Sequence, residues 1–170
     1  MKIAIADASI FIEIIELNIS GEFFAMELEV HTSLDVYNEL AESHQQLLNT
    51  YQLDKILFVH NITSEEQAEI YSVTYPKAFS CADKTGLYLV KKCGAKLLSC
   101  DKPVREYAKA NSIDVHGMLW IFDELLKNGA ISPVRATKLI LELFSKNSIY
   151  RNKLDLQLEL NKRLSVWSAA

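Results

Sequence analysis

Two observations predict a three-layer α/β/α fold, with a parallel central sheet of four to five strands between helices. First, Ile3-Ala4-Ile5-Ala6 is an unbroken apolar run. It suits a central strand buried on both faces, whereas a half-exposed strand would alternate. Second, the later apolar runs at 56–60, 95–99 and 113–116 are separated by segments with helical spacing. Strands that alternate with helices pair in parallel and send the helices to both faces.

The elements follow in order. After the first strand comes Asp7, then a helix over 9–17 with Ile10, Ile14 and Leu17 on one side. Residues 18–21 stop it. Residues 22–30 read as a short helix running into an extended piece at Val30 to Thr32. Ser33 is a suitable N-cap for one helix from Leu34 to about Tyr51. Ile56 to His60 is the next strand. Thr63-Ser64-Glu65-Glu66 has the capping-box pattern, so a helix follows to about Val73. Ser80 caps a helix over 81–93 that Gly94 ends.

Ala95 to Ser99 is a strand, and Pro103 suits the first turn of a helix to about Asn111. Ile113 to His116 is a short last strand, and Gly117 leads into a strongly apolar helix over 118–127. Ser132-Pro133 opens another, to about Ser145. Leucines alternate at 154, 156, 158 and 160, but the charged residues between them favour helix over 152–164. A single domain over 1–170 is expected, with 131–170 as a C-terminal helical extension packed on it.

Composition narrows the function classes. At 49% hydrophobic and 24% charged residues the chain is ordinary for a globular protein. No run approaches the ~18 apolar residues of a membrane span, and Asp7 interrupts the first run before a signal-peptide core forms. No membrane partner is expected. Three cysteines, with no CxxC pair, argue against a disulfide framework or zinc site and for a cytoplasmic location. They are expected to be small buried hydrophobes. Net charge is uneven: residues 1–75 sum to −11 and residues 76–170 to +7. Such asymmetry marks either a surface for a polyanion or uneven solvated helices.

Ligands of α/β sheets sit at the carboxyl ends of strands, so acids near those ends are candidates. Asp7 ends the first strand, and Asp101 lies two residues beyond the strand at 95–99. Asp83 is in the first turn of the helix over 81–93, and Glu39 lies one turn into the helix begun by Ser33. Individually they have plain explanations: Asp7 as a helix cap, Asp83 as an acid that the helix dipole favours in a first turn, and Glu39 as a solvated helix residue. Ser9 is equally well read as a cap of the first helix. GxGxxG and GxxxxGK[ST] are both absent.

The order of these acids carries a resemblance. Ile5-Ala6-Asp7-Ala8-Ser9, Val36-Tyr37-Asn38-Glu39, Ser80-Cys81-Ala82-Asp83 and Leu98-Ser99-Cys100-Asp101 together resemble the PIN-domain nucleases, which include the VapC toxins of toxin–antitoxin pairs. The stretch from Ile113 through Gly117 to Ile131 resembles a subgroup with extra C-terminal helices. The likeness spans essentially residues 1–131 and is weaker beyond.

It implies a metal-dependent endoribonuclease that hydrolyses RNA phosphodiester bonds. Asp7, Glu39, Asp83 and Asp101 would be the catalytic acids and would hold Mg²⁺ or Mn²⁺. Carboxylates suit that role because hard cations prefer oxygen ligands. Ser9 and Ser99 match hydroxyls that orient the acids, and Lys84, Lys102 and Arg105 are the candidates for RNA phosphates. Implied partners are single-stranded or structured RNA, a small antitoxin protein and a second copy of the chain in a homodimer. Ser112, Met118 and Trp120 depart from the family's pattern, but all four acids are present, so activity is expected.

Two other readings stand beside this one. A noncatalytic PIN-like module would bind RNA or a protein through the same surface. A dehalogenase-like phosphatase is disfavoured, because Asp7-Ala8-Ser9 lacks the second Asp of a DxD motif. The histidines show no HExxH spacing, and His60 and His116, at strand ends, are expected to be structural.

Overall fold

A computed structural model describes residues 2–167. The first half of the chain comprises β1 (Lys2–Ala6), α1 (Ala8–Glu16), α2 (Ser20–Phe24), β2 (Leu28–Ser33), α3 (Leu34–Glu39), α4 (Glu42–Leu53), β3 (Leu57–His60) and α5 (Ser64–Ser72). The second comprises α6 (Cys81–Cys93), β4 (Lys96–Leu98), α7 (Lys102–Ala110), β5 (Val115–His116), α8 (Met118–Lys127), α9 (Pro133–Lys146), α10 (Ser148–Arg151) and α11 (Leu154–Trp167). All strand pairs are parallel, in the order β3-β2-β1-β4-β5. The α/β/α architecture with a five-stranded sheet agrees with the sequence.

β1 is central because its residues are apolar on both sides. Ala4, Ile5 and Ala6 are fully buried. Ile5 and Leu97 face a small core with Leu87, Leu89, Val104 and Ala108 from α6 and α7. Ala4, Ala6 and Leu98 face the larger core, filled by Ile10, Phe11, Ile121 and Phe122 among others. That core includes Leu143, Leu160 and Trp167 from the C-terminal helices. Arg163 of α11 reaches Asp123 of α8 with contacts of 2.6 to 3.1 Å.

The sheet order fixes where a ligand crevice falls. The chain runs outward from β1 to β2 and β3, then crosses back to β4 on the other side of β1. The order therefore reverses between β1 and β4, and a crevice opens beyond their carboxyl ends. The Asp7 N–H still bonds the Leu98 carbonyl at 3.0 Å, so the two strand ends are tied together at that point.

Four local expectations are corrected. The helix expected over 34–51 is two helices, broken at Leu40, whose backbone is extended. Gln45 seals the break: its side chain donates to the Tyr37 and Leu40 carbonyls at 3.0 Å, and the Tyr37 hydroxyl donates back to the Gln45 carbonyl. The piece at 30–32 is a full strand of six residues. A four-residue helix, α10, precedes the last helix. Cys81 is exposed rather than buried, because it stands at the first position of α6, outside the face that packs on the sheet; all three cysteines are free thiols. Among the described residues no helix is long and apolar enough to cross a membrane.

Candidate active site

Asp7 stands where β1 meets α1, at the reversal of strand order. Its Oδ1 accepts the Ser9 hydroxyl at 2.5 Å and the Ile10 N–H at 3.2 Å. Asp7 is thus the N-cap of α1 and also faces the crevice; Ser9 does not cap the helix but serves Asp7. The Ser9 oxygen accepts the Cys100 N–H at 2.9 Å. The fully buried Ser99 accepts the Asp101 N–H at 3.1 Å, and its hydroxyl favours the charged form of the Asp7 carboxylate. Burial pushes the Asp7 carboxyl up to about 6; Ser9, Ser99 and the Ile10 N–H oppose the rise, and the charge of Asp101 adds to it.

The other three acids arrive on separate elements. Glu39 is the last residue of α3. Asp83 closes the capping box of α6, its Oδ2 accepting the Ser80 N–H at 2.8 Å. Asp101 caps α7, accepting the Val104 N–H at 3.0 Å. Burial raises the Glu39 carboxyl, with Asp83 the next cause; the Ser80 hydroxyl opposes this and Asp35 adds to it. Asp7, Glu39, Asp83 and Asp101 line one cavity of about 170 Å³ together with Ser9. Asp7 and Asp101 repel each other, as do Glu39 and Asp83.

The donor chemistry of this cavity suits a hard divalent cation. It offers four carboxylates, and two of them are held above their ordinary range by burial and a like-charged neighbour, so a cation would stabilise their charged forms. Among the described residues, no three His, Cys, Asp or Glu side chains are gathered at ligand spacing. One carboxylate oxygen of Asp83 and one of Asp101 accept a backbone N–H, which fixes each side chain at its helix start.

The three expected RNA-binding cations do not line the acidic cavity. Lys84 is half-buried beside Asp83. Lys102 pairs with Glu106 at 3.4 Å, and Arg105 Nη1 donates to the Ser99 carbonyl at 2.8 Å. Lys102 and Arg105 instead line a larger adjoining cavity of about 660 Å³. His60 and His116 have structural partners, His31 at 2.7 Å and Asp114 at 2.8 Å respectively.

Sequence reasoning missed two supports. The Thr32 hydroxyl donates to the Ala6 carbonyl at 2.8 Å, one residue before Asp7. Buried Ser33 and Thr85 join their hydroxyls at 2.8 Å, linking the helices that carry Glu39 and Asp83. Polar residues inside otherwise apolar segments were the available signal.

A parallel α/β sheet with a carboxylate-lined crevice at its strand-order reversal belongs to the class of α/β proteins that hold a ligand at the carboxyl ends of their strands. A PIN-domain family model matches residues 3–160. The chain belongs to the PIN-domain family, and the match runs past residue 131 into the C-terminal helices. PIN domains are generally nucleases, usually with divalent metals. Among curated proteins, none matches the chain.

Proposed function

We propose that this PIN domain is a metal-dependent endoribonuclease, with Asp7, Glu39, Asp83 and Asp101 holding Mg²⁺ or Mn²⁺. One observation carries the reading: four carboxylates from four separate elements line a single cavity at the strand-order reversal. A bound cation would acidify a water and offset charge on the phosphate oxygens. Ser9 and Ser99 hold the Asp7 carboxylate in place, and Ser80 restrains Asp83 and Glu39. Lys84, Lys102 and Arg105 bind phosphates that flank the cut, which positions the strand without reading its sequence.

The role as a VapC-like toxin, with a small antitoxin and a homodimeric state, is part of the same proposal and rests on the motif resemblance. A noncatalytic PIN-like module that binds RNA or a protein is the second reading. It is favoured by the helix caps, which engage one carboxylate oxygen each of Asp83 and Asp101 in contacts that serve the fold. Incubation of purified protein with RNA and Mn²⁺ separates the two. Cleavage that is abolished by EDTA and by Asp7→Asn is expected. Cleavage that survives Asp7→Asn belongs to a contaminant, and no cleavage under any metal supports the binding module.

A further inference from the structure

The larger cavity beside the acidic one carries more cations than the nuclease reading uses. It lies between α7, the β5–α8 junction and the C-terminal helices α10 and α11. Cys100 lines it, while the next residue, Asp101, lines the acidic cavity, so the two spaces share a wall. Two of its cations have carboxylate partners: Lys102 faces Glu106 at 3.4 Å in an exposed pair, and Arg163 is held by Asp123 and Glu159, while Asp155 adds a further acid to the lining. Three cations differ. Arg105 and Lys153 are half-buried and Lys109 is exposed, and among the described residues none of the three pairs with a carboxylate. Arg105 has one guanidinium nitrogen on the Ser99 carbonyl. A partly desolvated cation without a counter-ion leaves an attraction for anions unspent, and a low-dielectric wall strengthens it.

We propose that this cavity is a phosphate-binding groove for single-stranded RNA, lying beside the acidic cavity and completed by Lys153 of the C-terminal extension. Arg105, Lys109 and Lys153 hold successive backbone phosphates on one side of the scissile bond. The extension is then part of the substrate site as well as packing for the core. The inference rests on the endoribonuclease reading for the identity of its ligand.

Binding of a short fluorescein-labelled single-stranded RNA of mixed sequence, followed by anisotropy in EDTA across a range of salt, tests it without cleavage. Each lysine that neutralises a phosphate contributes about 0.7 to the slope of log K against log salt. Lys109→Gln and Lys153→Gln are each expected to flatten the slope by about that amount and to weaken binding several-fold at low salt. Neither lysine makes a side-chain hydrogen bond or ion pair among the described residues, so both variants should melt as the wild type does. Lys91→Gln, in the last turn of α6 where the chain leads into the start of β4 and outside the lining of this cavity, should leave slope and affinity unchanged.

Unaltered slopes in both Lys109→Gln and Lys153→Gln overturn the groove. Equal losses in Lys91→Gln overturn it too, since the effect would then be one of net charge. A parallel cleavage assay with Mn²⁺ keeps the two readings apart. Lysine-dependent binding without cleavage refutes the nuclease and retains the groove, whereas cleavage with lysine-independent binding does the reverse.

Discussion

The Ser9 hydroxyl donates to Asp7 Oδ1 over 2.5 Å while accepting the Cys100 N–H at 2.9 Å, so one oxygen joins the end of β1 to the loop carrying Asp101. Ser9→Ala removes both bonds. The Cys100 N–H is left without its partner, at a cost of about 1–2 kcal/mol. Asp7 also loses a donor that opposes the effect of burial, so its carboxyl ionises at higher pH. A lower melting temperature is expected, together with a pH–cleavage profile displaced to the alkaline side. Ser9→Thr, which keeps the hydroxyl, should restore the profile; a profile unmoved in Ser9→Ala would separate Ser9 from the site.

Asp7 gives the apoprotein a pH dependence whose sign follows from its raised carboxyl, about 6 in the fold against 3.8 unfolded. Between these values the folded chain binds more protons than the unfolded one. Stability from the protonated form is present at low pH and is lost as pH rises through about 6. At pH well above that, the buried charge costs about 2–3 kcal/mol. Asp7→Asn keeps an acceptor for Ser9 and Ile10 but cannot ionise. Without metal it should therefore melt above the wild type in mildly alkaline buffer and converge with it in acid. Mn²⁺ should raise the melting temperature of the wild type and leave Asp7→Asn nearly unmoved. A wild type equally stable with or without Mn²⁺ would contradict the metal assignment.

Much of the fold around this candidate site was legible because local chemistry and fold agree. The apolar run Ile3 to Ala6 is a central strand, Gly94 has the left-handed backbone of a helix stop, and Ser80 with Asp83 forms a capping box. The chain order of Asp7, Glu39, Asp83 and Asp101 led to one cavity. The break at Leu40 was not legible, since it depends on where the Gln45 side chain reaches rather than on a Gly or Pro. The larger cavity was hidden for a similar reason. Lys153 and Arg105 lie far apart in sequence and share a wall only after α10 and α11 have docked. Trp167 is buried in the core at the end of α11.

Ser33 and Thr85 are both fully buried, and their hydroxyls meet at 2.8 Å. Ser33 also caps α3 through the Val36 N–H, and Thr85 donates to the Ala82 carbonyl. Thr85→Val preserves shape but leaves the Ser33 hydroxyl without its partner, a loss of about 1–2 kcal/mol. Because α3 ends in Glu39 and α6 begins near Asp83, the change should also loosen the far side of the acidic cavity. Urea unfolding should show the lower midpoint with an unchanged slope, and Mn²⁺ titration should show weaker binding. Full Mn²⁺ affinity in a destabilised Thr85→Val would mean that the hydroxyl pair serves the fold alone.

Gly117 is needed for close approach, not for an unusual backbone, because its φ of −131° is open to any residue. A Cβ there would lie 2.9 Å from Arg105 Nη1 and 3.3 Å from the Ser99 carbonyl oxygen. The guanidinium tip is the softer of the two neighbours, so Gly117→Ala should push it off Ser99 and break their 2.8 Å bond. The expected loss is about 1–2 kcal/mol, as for a part-buried bond to a charged donor. Arg105→Gln removes the same bond by another route, so the two changes should not add. A double-mutant cycle in urea is expected to find the pair little worse than Arg105→Gln alone, with a coupling energy above about 0.5 kcal/mol. Strict additivity would show that the methyl is accommodated by a shift of the Ser99 backbone instead, and Arg105 would then keep its position in the groove.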